Sequence, residues 1–179
     1  MVSYYSSLVT KFLESSSDEI VGKLAKSQSQ DIHSMVEIAQ TSSWTAQIGL
    51  LKSTLSIVPT IQADAGILLE YFIPRRGKRI DAIILVGNIV FVLEFKNNVP
   101  NGRTSMYKRN DLEQCEDYAL DLRDFHRSSR DKIIVPILVD TSVAKNLPFR
   151  WGSDPVQEVL AVNSDRALCE AITKSSPVS

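Results

Sequence analysis

Apolar residues recur with a helical period in the first third of the chain and with a strand period in the middle. Leu8 and Phe12, then Ile20 and Leu24 after Ser17-Asp18, are spaced for helices, so the first forty residues are expected to form short helices with polar spacers. From Ser43 the pattern strengthens: Trp44, Ile48, Leu51 and Leu55 fall at i, i+4, i+7 and i+11 and make one apolar stripe. Pro59 ends that helix by pushing the residue before it out of the helical region. Three short apolar runs follow, Ile67 to Ile73, Arg79 to Val86 and Ile89 to Lys96, separated by Pro74-Arg75-Arg76-Gly77-Lys78 and by Gly87-Asn88. They predict an antiparallel meander. After a polar stretch, Asn97 to Arg109, a helix is expected from about Asp111 to His126, with Asn110 and Glu113 at capping-box spacing and Leu112, Cys115, Ala119 and Leu122 as its buried face. Lys132 to Asp140 reads as a strand buried on both faces, Val156 to Val162 as another strand, and Ser164 opens a last helix.

The resulting order is helix, three strands, helix, strand, strand, helix. It implies an α/β fold, with a central mixed β-sheet, an antiparallel three-strand meander plus further strands, flanked by helices. Residues 1–40 are expected to be an N-terminal helical extension, 41–174 the main domain, and 175–179 a disordered tail.

Composition narrows the function. With 179 residues, 44% hydrophobic and 23% charged, the chain can bury a core without disulfides or a structural metal. Cys115 and Cys169 stand far apart, which argues against a Cys-based zinc site and fits a reducing compartment. No apolar run approaches the roughly 18 residues of a membrane span, and no membrane partner is expected. The expected location is cytoplasmic. Net charge is −1, but its placement is uneven. Between Tyr71 and Asn110 stand Arg75, Arg76, Lys78, Arg79, Lys96, Arg103, Lys108 and Arg109 against only Asp81 and Glu94. The stretch Asp111 to Asp124 then carries six acids and one base. The plainest reading is a solvated basic loop beside a solvated acidic helix face.

Two carboxylates on neighbouring predicted strands carry the most chemistry. Asp81 lies near the start of one strand and Glu94 near the end of the next, so hairpin pairing brings them to the same end of the sheet, and Lys96 shares a face with Glu94. Two carboxylates among apolar residues suit a hard cation such as Mg²⁺ or Mn²⁺, and a neighbouring amine can position or deprotonate a water there. The alternative is a Glu94–Lys96 ion pair at a strand end, with Asp81 finishing a turn.

Asp81, twelve intervening residues, and then Glu94-Phe95-Lys96 resembles the PD-(D/E)XK nuclease superfamily, and Gln114-Cys115-Glu116-Asp117-Tyr118 resembles the Q-x-x-x-Y motif of its RecB-type branch. The segments Ile73 to Asp81, Leu93 to Lys96 and Asp117 to His126 resemble the N-terminal nuclease-like domain of bacterial Schlafen-like helicase/ATPase proteins, over about Ser43 to Asp140. The resemblance implies a restriction-endonuclease-like fold and Mg²⁺- or Mn²⁺-dependent hydrolysis of phosphodiester bonds, foremost in DNA, with RNA left open. It implies that Asp81, Glu94 and the Phe95 carbonyl hold the cation, that Lys96 acts on the attacking water, and that Gln114 and Tyr118 organise the site. The superfamily's remaining acid usually comes from the preceding helix. Gln47 stands there instead, and Glu70 on the first strand of the meander is the substitute.

Arg75, Arg76, Lys78 and Arg79 on one side, and Arg103, Lys108 and Arg109 on the other, are then expected to flank the cleft and contact phosphates. No G-x-x-x-x-G-K-[ST] loop occurs, so an ATPase or helicase partner would be a separate domain or subunit. The rival expectation, prompted by Gln47, is a catalytically weak or inactive module that binds nucleic acid or regulates a larger helicase/ATPase system.

Overall fold

The computed structural model describes residues 2–32, 38–58, 61, 64–73, 77–96, 106–147, 150 and 152–175. Six strands form one sheet in the spatial order of the chain: β1 (Ser3–Leu8), β2 (Gly66–Ile73), β3 (Lys78–Val86), β4 (Ile89–Lys96), β5 (Ile133–Asp140) and β6 (Leu160–Val162). The first four pair antiparallel, and β5 and β6 add in parallel. The α/β class with a mixed sheet flanked by helices is therefore observed. Gly87, at φ 55°, supplies the left-handed turn that the tight β3–β4 hairpin requires.

Helices cover both faces. On one side α1 (Val9–Glu14), α2 (Ser17–Ile32), α3 (Ile38–Leu55) and α5 (Asp165–Ser175) bury Phe12, Ile20, Leu24, Trp44, Ile48, Leu51, Leu55, Leu168 and Ile172 against Ile67, Leu69, Ala82, Ile84, Phe91 and Leu93. On the other, α4 (Arg109–Phe125) sets Tyr118, Ala119 and Leu122 against Tyr71, Ile80, Ile83, Val90 and Val92. The long α4 connects β4 to the parallel β5, which is the usual way to bridge parallel strands.

Several expectations need correction. Ser3–Leu8 is a strand, not part of a helix, because it pairs with β2 as the sheet's edge. Its Tyr4 and Tyr5 are both buried although adjacent, so no period-two signal marked the strand. The rest of the N-terminal segment is built into the main core through Phe12, Ile20 and Leu24. Lys52 of α3 also clamps it, donating to the carbonyls of Phe12 (2.8 Å), Leu13 (3.0 Å) and Ser15 (2.5 Å) just where α1 ends. The capping box does not form. Helix α4 starts at Arg109, before Asn110 can cap it, and Glu113 pairs with Arg109 at 2.7 Å instead. Only Leu160–Val162 of the last predicted strand is extended into the sheet, with Val156 making an isolated bridge to Ile134. Ser175 is buried in α5 and is not tail; residues 176–179 lie outside the described residues.

If the N-terminal segment is part of the main core, Phe12→Ala should lower stability by about 3–5 kcal/mol, the usual cost of emptying a fully buried aromatic site. Urea unfolding measures this. An unchanged midpoint would mean that α1 is a dispensable appendage.

Candidate active site

The regular sheet is interrupted at one place. Pairing of β2 with β3 runs through Leu69↔Ala82 and Tyr71↔Ile80 but skips Glu70 opposite Asp81, and pairing of β3 with β4 ends at Ala82↔Leu93, one step before Asp81 would meet Glu94. Glu70 has φ 52°, the only non-glycine positive φ among the described residues. That conformation costs an L-residue roughly 1–2 kcal/mol. Residues two apart on a strand should share a face, yet Leu69 and Ala82 belong to the cluster under α3 while Tyr71 and Ile80 belong to the cluster under α4. The strands therefore exchange faces at Glu70 and Asp81. Strand β4 does not follow; it keeps its pairing with β5 through Glu94↔Leu138, Phe95↔Val139 and Lys96↔Asp140. The sheet opens between β3 and β4, and an Asp81 side-chain oxygen takes the place of the lost backbone acceptor by receiving the Phe95 N–H at 2.8 Å.

Asp81 is thereby held close enough to the Glu94 carboxyl for each to shift the other's ionisation. Glu94 is 5% exposed. Its Oε1 accepts from Lys96 Nζ (2.9 Å) and from Gln114 Nε2 (3.0 Å), while its Oε2 is buried with no hydrogen-bond partner among the described residues. Gln114 is the hub of the α4 side: its Oε1 accepts from Lys96 at 2.9 Å and its Nε2 also contacts the Tyr118 hydroxyl at 2.7 Å. Four residues apart on one helix, Gln114 and Tyr118 face the sheet together, as their spacing requires. Gln114 thus meets Glu94 directly and Tyr118 reaches it only through Gln114, and the Glu94–Lys96 ion pair of the alternative reading is present within the same network.

Burial pushes the Asp81 carboxyl up to about 7 and the Glu94 carboxyl up to about 8, and the nearby acids, Glu70 for Asp81 and Asp81 for Glu94, push in the same direction. Near neutral pH the pair therefore retains a proton. Burial works against the Lys96 ammonium, but its bond and attraction to Glu94, then the charges of Asp111 and Asp81, outweigh it and hold the ammonium above the ordinary lysine range. Lys96 is a proton-bearing donor here, not a free base.

Glu70 is buried and its Oε1 accepts the Trp44 indole N–H at 2.8 Å. Burial raises this carboxyl, with the charge of Glu94 adding to the effect and the indole opposing it. Gln47 turns instead to Ser43, at 3.3 Å. Sequence reasoning missed two participants. Asp111 lies 3.7 Å from Lys96 and shares the helical stripe of Gln114 and Tyr118, a spacing that marks it in the sequence. Trp44 belongs to the apolar stripe of α3, and nothing in the sequence links it to Glu70.

The basic residues divide. Lys78 lies 5.6 Å from the centre of the Tyr118 ring and 3.6 Å from Asp117, beside the site. Arg79 stacks 4.0 Å over Tyr4 on the other side of β2. Lys108 is exposed at the start of α4, and exposed Arg109 is engaged by Glu113. Arg75, Arg76 and Arg103 lie outside the described residues.

The donor chemistry fits a hard divalent cation: two close carboxyl groups and one unpartnered buried oxygen, at the carboxyl ends of parallel strands. Among the described residues, no group of three or more His, Cys, Asp and Glu side chains is gathered in ligating geometry. No helix among the described residues is long and apolar enough to cross a membrane. No family model, curated protein or solved structure matches the chain.

The raised carboxyl values set a pH dependence. The folded state binds protons that the unfolded chain, titrating near 4, has already released, so the stability from this pair is full below about pH 4 and is lost as pH rises through about 7 to 8. In chelator-treated protein the melting temperature of wild type relative to Asp81→Asn/Glu94→Gln should fall between pH 6 and 9. A constant difference across that range would show that neither carboxyl is raised into it.

Proposed function

We propose that this chain is a divalent-metal-dependent nuclease, hydrolysing phosphodiester bonds foremost in DNA, with Asp81, Glu94 and Lys96 at its centre and a restriction-endonuclease-like sheet as its frame. The observation that carries the reading is the pair of buried carboxyls at the β3–β4 opening, with Glu94 Oε2 unpartnered and Lys96 on the same wall. Asp81, Glu94 and the Phe95 carbonyl would hold Mg²⁺ or Mn²⁺. The cation would supply Lewis-acid stabilisation of the phosphoryl oxygens and make water a stronger acid.

The chain's own groups do the remaining work. Glu94 presents its free oxygen because Gln114 and Lys96 occupy the other one. Gln114 fixes the Lys96 ammonium, and Tyr118 fixes Gln114. From that position Lys96 orients the attacking water and stabilises negative charge on the phosphate. Glu70 waits one strand away on the indole of Trp44, available as an outer acid. Lys78 lies beside Tyr118, on the side from which a phosphate backbone would approach.

A second reading has its own support. Lys96 already neutralises Glu94 Oε1 at 2.9 Å, and no three-acid ligating group occurs among the described residues, as suits a module that binds nucleic acid without cutting it.

Calorimetric titration of Mn²⁺ should show binding to wild type that Asp81→Asn and Glu94→Gln abolish. Lys96→Ala should retain cation affinity within a few-fold while cleavage of labelled DNA falls by roughly 10²–10³. Undiminished cutting by both Glu94→Gln and Lys96→Ala overturns the proposal. DNA binding with neither Mn²⁺ affinity nor cutting selects the second reading.

A further inference from the structure

Along the outer side of edge strand β1, where α1 and α2 meet it, runs a groove of about 590 Å³. Its charged residues are of one sign: Lys11 from α1, Lys23 and Lys26 from α2, with no acid among the residues lining it. In a chain of net charge −1 this is a local concentration of positive potential facing a cleft. Lys23 lies 5.7 Å from the centre of the Tyr5 ring and pairs with Glu19 at 2.7 Å outside the groove. Another open cleft among the described residues, of about 700 Å³, differs in charge and in place. It mixes Arg130 and Lys132 with Asp131 and Asp154, and it sits at the start of β5, the opposite end of that strand from Asp140 and Lys96.

Tyr4 stands at the same level of the sheet as the carboxylates. It lines the groove, and the pairings on either side of it set it opposite Glu70, which in turn is opposite Asp81 and then Glu94. Counted backbone to backbone across the sheet, Tyr4 and Glu94 stand three strand spacings apart, roughly 14 Å. The Arg79 guanidinium lies 4.0 Å from the Tyr4 ring centre. A peptide adding to the edge of β1 would need that strand's outward carbonyls. The carbonyl of Tyr4 already accepts the Ser27 hydroxyl at 3.1 Å, so the groove favours a polyanion over an added strand.

We infer that this groove holds the phosphate backbone of the nucleic-acid strand on which the carboxylate site acts, a few nucleotides from the point of cutting. Lys11, Lys23 and Lys26 are the phosphate contacts, and Arg79 stacks on Tyr4 beside them. The inference rests on the nuclease reading of that site, and it gives the N-terminal segment a role in substrate binding rather than in chemistry.

The test uses the full chain in chelator, with a short fluorescein-labelled single-stranded oligonucleotide as probe and fluorescence anisotropy as readout. Lys11→Gln/Lys26→Gln should raise Kd by about ten-fold at moderate salt and flatten the slope of log K against log[salt] by about 1.5, as expected for two lost phosphate contacts. Lys11→Arg/Lys26→Arg should restore both, and Mn²⁺ affinity should be unchanged in either variant. An unchanged Kd and slope overturns the inference, as does binding of a polyglutamate peptide in place of the oligonucleotide. Mn²⁺-dependent cutting together with unaltered oligonucleotide binding removes the groove alone. Lysine-dependent binding with no Mn²⁺ affinity and no cutting removes the nuclease reading and leaves the groove as a nucleic-acid site.

Discussion

Asp81 accepts the Phe95 N–H that a regular ladder would have satisfied with a backbone carbonyl, and the rest of the site follows from that substitution. A sheet that opens between two strands exposes backbone donors, and a buried donor without a partner costs about 1–3 kcal/mol. One Asp oxygen removes that cost. In doing so it is held beside Glu94, in surroundings made apolar by the sheet below and α4 above. Two carboxyls placed this way cannot both ionise without help, which is why burial and mutual repulsion raise them together.

The opposing side of the cleft limits that instability. Helix α4 brings Gln114 and Asp111 onto Lys96, and Lys96 onto Glu94, so one Glu94 oxygen is fully engaged while the other is left to whatever enters the gap. Asp117 similarly engages Lys78. The charge imbalance along the chain, basic from Tyr71 to Asn110 and acidic through α4, is met at two points by pairing, Lys78 with Asp117 and Lys96 with Asp111. On the other side of the sheet, Trp44 does for Glu70 what Gln114 does for Glu94, fixing a buried carboxyl by one donated N–H.

The sheet centre and the main helices were legible because their residues obey a period. Strand β4 spans Ile89–Lys96 as read, the stripe of Trp44, Ile48, Leu51 and Leu55 is buried as read, and the i, i+4 spacing of Gln114 and Tyr118 sets both on the site. Strand β1 was not legible, since an edge strand covered by helices need not alternate, and Tyr4 and Tyr5 are both inside. Nor was the exchange of faces at Glu70 and Asp81. It depends on a positive φ at a residue type that rarely adopts one, a conformation held by contacts from α3 that are distant in the chain.

Local spacing by itself determined which residues could share a face: Glu94 with Lys96 on a strand, Gln114 with Tyr118 on a helix, and the apolar stripes that send both elements to the core. Those relations are set by the 2.0 and 3.6 periods of the backbone and survive any arrangement of the elements. Only the tertiary structure decided that β3 parts from β4 at Asp81, that Glu94 is left with one unpartnered oxygen, that Trp44 reaches Glu70, and that the lysines of α1 and α2 line one groove beside β1. Each of these depends on how far two elements remote in sequence approach one another, and packing of the whole core, not any local period, sets that distance.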